Sequence, residues 1–135
     1  SSVGVIPESL FPREVCGNTV GDVIVVDNMH ERKAKMAELS DGFIALPGGY
    51  GTMEEFFEVT TWLQLGIHTK PVALLNVADF YTPLLDFIRG AHAHQFISDT
   101  HKDIILVSTT PEDLLNKMNT WTAPATRVWM DKTKA

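Results

Sequence analysis

The chain predicts a doubly wound, mostly parallel α/β sheet, and three observations predict it. Short apolar runs of buried-strand type recur at residues 3–6, 23–26, 42–46, 72–76 and 104–107. From the second run onward, segments of helical periodicity separate them, joined by short turns, and strands alternating with helices make parallel sheets with helices on both sides. One strand runs straight into a glycine-rich turn that opens a helix, and ligands of such sheets sit beyond the carboxyl ends of strands.

The elements follow in order. Residues 3–6 form a short strand ended by Pro7, and residues 8–21, without strong periodicity, read as a surface or partner-facing loop. The β-branched run Val23, Ile24, Val25 and Val26 reads as a strand covered on both faces. Asp27 and Asn28 supply the N-cap of a helix over 29–39. On that helix Glu31, Lys35 and Glu38 make a solvated face, whereas Arg32 shares the opposite, core-directed side with Met36 and Leu39. A guanidinium there meets an anion or snorkels to water, because an unpaired buried charge is very costly. Lys33 lies one step round, where it can also face a ligand.

After a turn at 40–42 come the strand at 42–46 and a helix over 52–65, with Gly66 as its stop. Lys70 and Pro71 precede the buried strand at 72–76. A further helix runs from Tyr81 or Thr82 to about His94. The last strand is at 104–107, and Thr110 and Pro111 open the last helix. Residues 1–121 are expected to form one domain and 122–135 a tail of little pattern, with Trp121 and Trp129 available for packing.

The turn reads Pro47, Gly48, Gly49, Tyr50, Gly51, Thr52, Met53, Glu54, Glu55. Glycines let main chain approach a ligand closely, and a helix start offers unpaired N–H groups and a partial positive charge. Phosphate is the natural guest. Neither common phosphate loop fits: no Lys-Ser/Thr pair follows Gly51 as a P-loop requires, and the third glycine of a dinucleotide fingerprint is replaced by Glu54. Two carboxylates in a first helical turn would repel the anion unless they have another task. Glu54, Glu58 and Thr61 share a solvated face, whereas Glu55 falls between Val59 and Trp62 at the edge of the apolar face, making it the half-buried acid. The plainer alternative is that both acids complement the helix dipole.

With 135 residues, 44% of them hydrophobic and 21% charged, the chain suits one ordinary globular core. A net charge of −6 argues against a nonspecific nucleic-acid or anionic-membrane surface. No run is long enough to span a membrane. The single Cys16 rules out an intrachain disulfide and any multi-cysteine metal site, and fits a reducing, cytoplasmic compartment or a nuclear one. His92 and His94, two apart on a helix, diverge, so no metal is expected.

These residues resemble the Lonely Guy family, cytokinin riboside 5′-monophosphate phosphoribohydrolases long labelled lysine-decarboxylase-like. The family pattern Pro-Gly-Gly-x-Gly-Thr-x-x-Glu is matched from Pro47 to Glu55, and the resemblance extends to Met29, His30, Glu31, Arg32, Lys33, Met36, Ala37 and Asp41 and to residues 61–66. It implies a Rossmann-like fold and removal of ribose 5-phosphate from adenine-type nucleotides, without a cofactor. It also implies that Arg32 and Glu55 are catalytic, and that Met29, Lys33, Pro47, Gly48, Gly49, Tyr50, Gly51, Thr52 and Glu54 bind the nucleoside 5′-monophosphate. Family members begin with two further βα units. Their absence ahead of Val3 leads to the expectation of a fragment of a longer chain, or of a sheet completed by a partner. A homodimer sharing site residues is expected. Two alternatives stand beside the hydrolase: a nucleotide-binding or carrier module without turnover, and a lysine decarboxylase. The decarboxylase would need pyridoxal phosphate on a lysine, and Lys33, Lys35 and Lys70 lack a surrounding signature for it.

Overall fold

The computed structural model describes residues 3–8 and 21–125. The expected loop at 8–21, apart from its two end residues, and Trp129 with most of the tail lie outside them. The chain divides into two compact units, residues 1–40 and 41–135.

In the first unit, β1 (Val3–Pro7) pairs in parallel with β2 (Asp22–Val26), Val5 opposite Ile24, and the helix α1 (Met29–Leu39) follows. Asn28 caps α1 through its side chain, which accepts the Glu31 N–H at 2.9 Å, while the Glu31 carboxylate accepts the Asp27 N–H at 3.0 Å. Glu31 therefore fastens the helix start rather than merely facing water. Two expectations are corrected here. Val23 and Val25 are exposed while Ile24 and Val26 are half-buried, so β2 has one covered face, not two. The stripe of Arg32, Met36 and Leu39 is not a core face either: Arg32 and Met36 are half-buried and Leu39 is exposed.

The second unit is a three-stranded parallel sheet of β3 (Phe43–Ala45), β4 (Val72–Leu75) and β5 (Ile105–Ser108), in the order β3-β4-β5. Strand β4 lies in the middle. Its Val72, Ala73 and Leu74 are fully buried, as an uninterrupted apolar run in a parallel sheet must be. The connecting helices are α2 (Tyr50–Gln64), α3 (Thr82–Ala93) and α4 (Pro111–Thr120). Phe56 and Leu63 of α2, Val72, Leu74, Tyr81 and Ile104 form the buried cluster, with Trp121 packed against it.

Helix α2 ends as expected at Gly66. With φ of 75° this residue enters the left-handed region that favours glycine, and its N–H bonds Leu63 O while the Ile67 N–H reaches back to Trp62 O. Its start is corrected. The Gly49 carbonyl already accepts the Met53 N–H at 3.1 Å, so the helix begins at Tyr50, two residues before Thr52. Strand β3 is shorter than expected by Gly42 and Leu46 and β4 by Asn76, while β5 keeps its length and is shifted by one residue, from 104–107 to Ile105–Ser108.

Candidate active site

Strand β3 releases the chain at Leu46, and Pro47, Gly48 and Gly49 turn it into α2. Gly48 is fixed by packing: a Cβ there would collide with Thr52 Oγ1 and stand 2.9 Å from Thr52 Cβ. The Gly-x-x-x-Thr spacing is therefore one contact across the helix start. Gly49 and Gly51 differ from it. Neither has positive φ, and an added Cβ at either would meet no heavy atom within 4 Å. Among the described residues, nothing in the chain's own packing demands glycine at these two places.

Gly49 is the N-cap of α2 and contributes no capping side chain. Three first-turn N–H groups, of Tyr50, Gly51 and Thr52, thus stand at the helix start without a side-chain cap. The Tyr50 side chain is 97% exposed and Thr52 half-buried. Glu54 and Glu55 are the fifth and sixth residues of α2, and its first turn holds no acid. That corrects the reading of both as first-turn residues and removes the plain dipole explanation, whose effect falls off within one turn. Glu54 is exposed and Glu55 half-buried, the division expected from helix geometry.

Residues that sequence reasoning missed lie under the turn. The buried Tyr81 phenol donates to Leu46 O at 2.5 Å, and its ring meets Phe80 edge to face at 4.9 Å between centroids. Burial pushes the Tyr81 phenol pKa up. Asn76, which with Ser108 is buried and polar among the described residues, accepts the Tyr81 N–H on Oδ1 at 2.8 Å and sends its own N–H to Ser108 O at 2.8 Å. The Ser108 hydroxyl in turn donates to Asp113 at 2.6 Å. That bond first, and Lys117 second, hold the Asp113 carboxyl below the usual range. Asn76 and Ser108 follow apolar strand residues directly, and a polar residue ending a buried strand is the signal that could have found them. Between Asn76 and Tyr81, Ala78 and Asp79 have φ of 49° and 59°, an uncommon conformation for residues with a side chain.

In the first unit, α1 carries the other expected site residues. Met29 is exposed at its first position, Lys33 is half-buried, and the Arg32 Nε donates to Val5 O at 3.0 Å. That bond ties the guanidinium to the β1 main chain. Among the described residues, no three His, Cys, Asp or Glu side chains are grouped to hold a metal ion. His92 instead pairs with Asp99 at 2.7 Å. No helix among them is long and apolar enough to cross a membrane.

The profile of the family described as "possible lysine decarboxylase" matches residues 1–118. The chain belongs to this family. The resemblance carried by the glycine-rich motif is thereby borne out, as is the parallel α/β fold. Relatives of this family member include the probable cytokinin riboside 5′-monophosphate phosphoribohydrolase LOGL6 of Oryza sativa subsp. japonica, 56% identical over 119 residues, which are 88% of this chain and 48% of the relative. The cytokinin riboside 5′-monophosphate phosphoribohydrolase LOG of the same organism is 57% identical over 116 residues, 86% of this chain and 48% of its own. LOG3 of Arabidopsis thaliana, with the same activity in its name, is 56% identical over 116 residues, 86% and 54% of the two chains. This member of the family spans about half the length of the curated relatives it matches.

Proposed function

We propose that the full-length protein is a phosphoribohydrolase that cleaves the N-glycosidic bond of cytokinin riboside 5′-monophosphates or similar adenine nucleotides, releasing free base and ribose 5-phosphate. The observation that carries this is the start of α2: three uncapped first-turn amides beside glycines whose own surroundings do not require them, followed one turn later by a half-buried carboxylate. Amides at a helix start favour a phosphate, and glycine at 49 and 51 lets it come close. The names of the relatives, at 56–57% identity, support this substrate class.

In the reaction, the bond between the ribose C1′ and the base nitrogen breaks with its electron pair going to the base, and the sugar passes through an oxocarbenium-like state. Glu55 stabilises that charge and takes a proton from the water whose oxygen joins C1′, and that proton is passed on, through solvent, to the nitrogen that received the electron pair, so the base leaves neutral and Glu55 is again a carboxylate. The first-turn amides of α2 hold the 5′-phosphate. Arg32 supplies a cation to the same chemistry, toward the phosphate or toward Glu55. Met29, Lys33, Tyr50 and Glu54 complete the substrate contacts. The working unit is a homodimer in the cytoplasm, with site residues from both subunits.

Incubating the full-length protein with isopentenyladenosine monophosphate, AMP and the free riboside, and measuring released base by chromatography, tests the proposal. Base is expected from the monophosphates and far less from the riboside. Tight nucleotide binding without any free base would instead identify a carrier module.

A further inference from the structure

We propose that Tyr81 is a positioning residue for the glycine-rich turn: by donating to the Leu46 carbonyl, its hydroxyl fixes the main chain just before Pro47 and so sets where the first-turn amides of α2 stand. What those amides hold is taken from the proposed function; the contact itself is independent of it. The ladder between β3 and β4 ends with Ala45 opposite Leu74, so the Leu46 carbonyl has left the sheet. Pro47 offers no N–H, and the residue before a proline is confined to extended conformations. The peptide joining Leu46 to Pro47 thus has one orientable polar group, its carbonyl, and a phenol 35 residues away takes it at 2.5 Å.

That phenol is itself held from several directions. Tyr81 is 2% exposed, its N–H is bonded by Asn76 and its carbonyl accepts the Leu85 N–H at 3.0 Å at the start of α3. Asn76 is in turn tied to β5 through Ser108. The turn that delivers Tyr81 passes through two successive left-handed residues, Ala78 and Asp79, a conformation that persists only where the surroundings over-determine it. A continuous set of bonds therefore runs from β5 through β4 to the turn that opens α2. A buried phenol needs a partner wherever it lies; what is particular here is that the partner is the carbonyl that joins β3 to the turn.

The test is Tyr81→Phe in the full-length protein, which keeps the ring and removes the hydroxyl. Two readouts separate positioning from bulk stability. Hydrogen exchange of the amides at 53–55, where the N–H groups of α2 begin to be bonded within the helix, referenced to those of β4, should quicken roughly 3- to 10-fold, the weight of one hydrogen bond. The ratio of kcat/KM for the nucleoside monophosphate over the riboside should fall by a similar factor, since only the monophosphate uses the amides. Ile88→Val loosens the same unit away from the turn and should move neither. A Tyr81→Phe protein with lowered Tm but unchanged exchange at 53–55 overturns the proposal, as does equal quickening in Ile88→Val. If the unaltered protein releases no base from any nucleotide, the proposed function fails while the exchange measurement still decides the role of Tyr81.

Discussion

Three substitutions of the α2 turn separate what the fold needs from what a ligand needs. Gly51 is the second residue of α2, with open space where a Cβ would stand. Alanine there removes the entropic disadvantage of glycine in a helix, about 0.5–1 kcal/mol. The Tm of the full-length protein should rise by roughly 2–4 °C if the gain reaches about 1 kcal/mol in a chain of ~150–250 residues. Gly48→Ala has the opposite sign. Its methyl would press into the Thr52 side chain at the helix start, and overpacking of that kind costs about 1–3 kcal/mol. If a phosphate lies against the first-turn amides, the added methyl of Gly51→Ala stands in its way even though the protein is more stable. Loss of one hydrogen bond to a charged group, about 1.5–3 kcal/mol, lowers kcat/KM by roughly 10- to 100-fold. Serine at 51 should behave like alanine in turnover without the same gain in Tm. Calorimetry and base release on the same preparations give both axes. A Gly51→Ala protein that is stabilised and fully active would refute the claim that a ligand approaches this backbone, and one as destabilised as Gly48→Ala would refute the helix start at Tyr50.

Glu55→Gln should leave Tm nearly unchanged and lower base release by about 100-fold or more, the usual weight of a positioned acid or base; turnover close to that of the unaltered protein would remove Glu55 from the mechanism. Arg32→Lys retains a charge but not the geometry of the Nε bond to Val5, so it should lose activity nearly as far as Arg32→Ala; lysine restoring full turnover would show that charge alone suffices. Leu63→Ala, at a fully buried site of α2, should cost about 2–5 kcal/mol in urea unfolding. The folded-state pKa of Asp113 lies below its ordinary 3.8, so the stability it contributes is present above that value and drains away as pH falls through the lower folded value. Asp113→Asn should flatten the acid limb of a circular-dichroism titration, and an unchanged limb would place the acid sensitivity elsewhere.

The parallel α/β class was legible because strand and helix periods alternate, and the buried run at Val72, Ala73 and Leu74 could hardly be anything but a central strand. Gly66, Thr110 and Asn28 could be read as punctuation because their chemistry acts on near neighbours. The choice of Glu55 over Glu54 needed only 3.6 residues per turn. What could not be read was whatever depends on distant partners. The coverage of β2 depends on what packs against Val23 and Val25, and a β-branched run looks the same whether one face or two are covered. The bond from Tyr81 to Leu46 spans 35 residues, and a tyrosine at a helix start carries no mark of its target. The helix start at Tyr50 was hidden for a local reason: glycine has low helix propensity, so Gly51 looks like turn although Gly49 O already accepts the Met53 N–H.

That shift of two residues resolves the conflict between acid and anion that the motif poses. With a start at Thr52, both carboxylates would sit among the amides that receive a phosphate, and their charge would oppose it. With the start at Tyr50, the first-turn amides proposed to hold the phosphate are those of Tyr50, Gly51 and Thr52, and Glu55 is five residues past the first of them, about 7.5 Å along the axis at 1.5 Å per residue. Helical side chains lean toward the N-terminus, so a glutamate at this position reaches back over the preceding turn without entering it. In the proposed reaction one helix thus offers backbone to the charged end of a nucleotide and a carboxylate to its glycosidic bond.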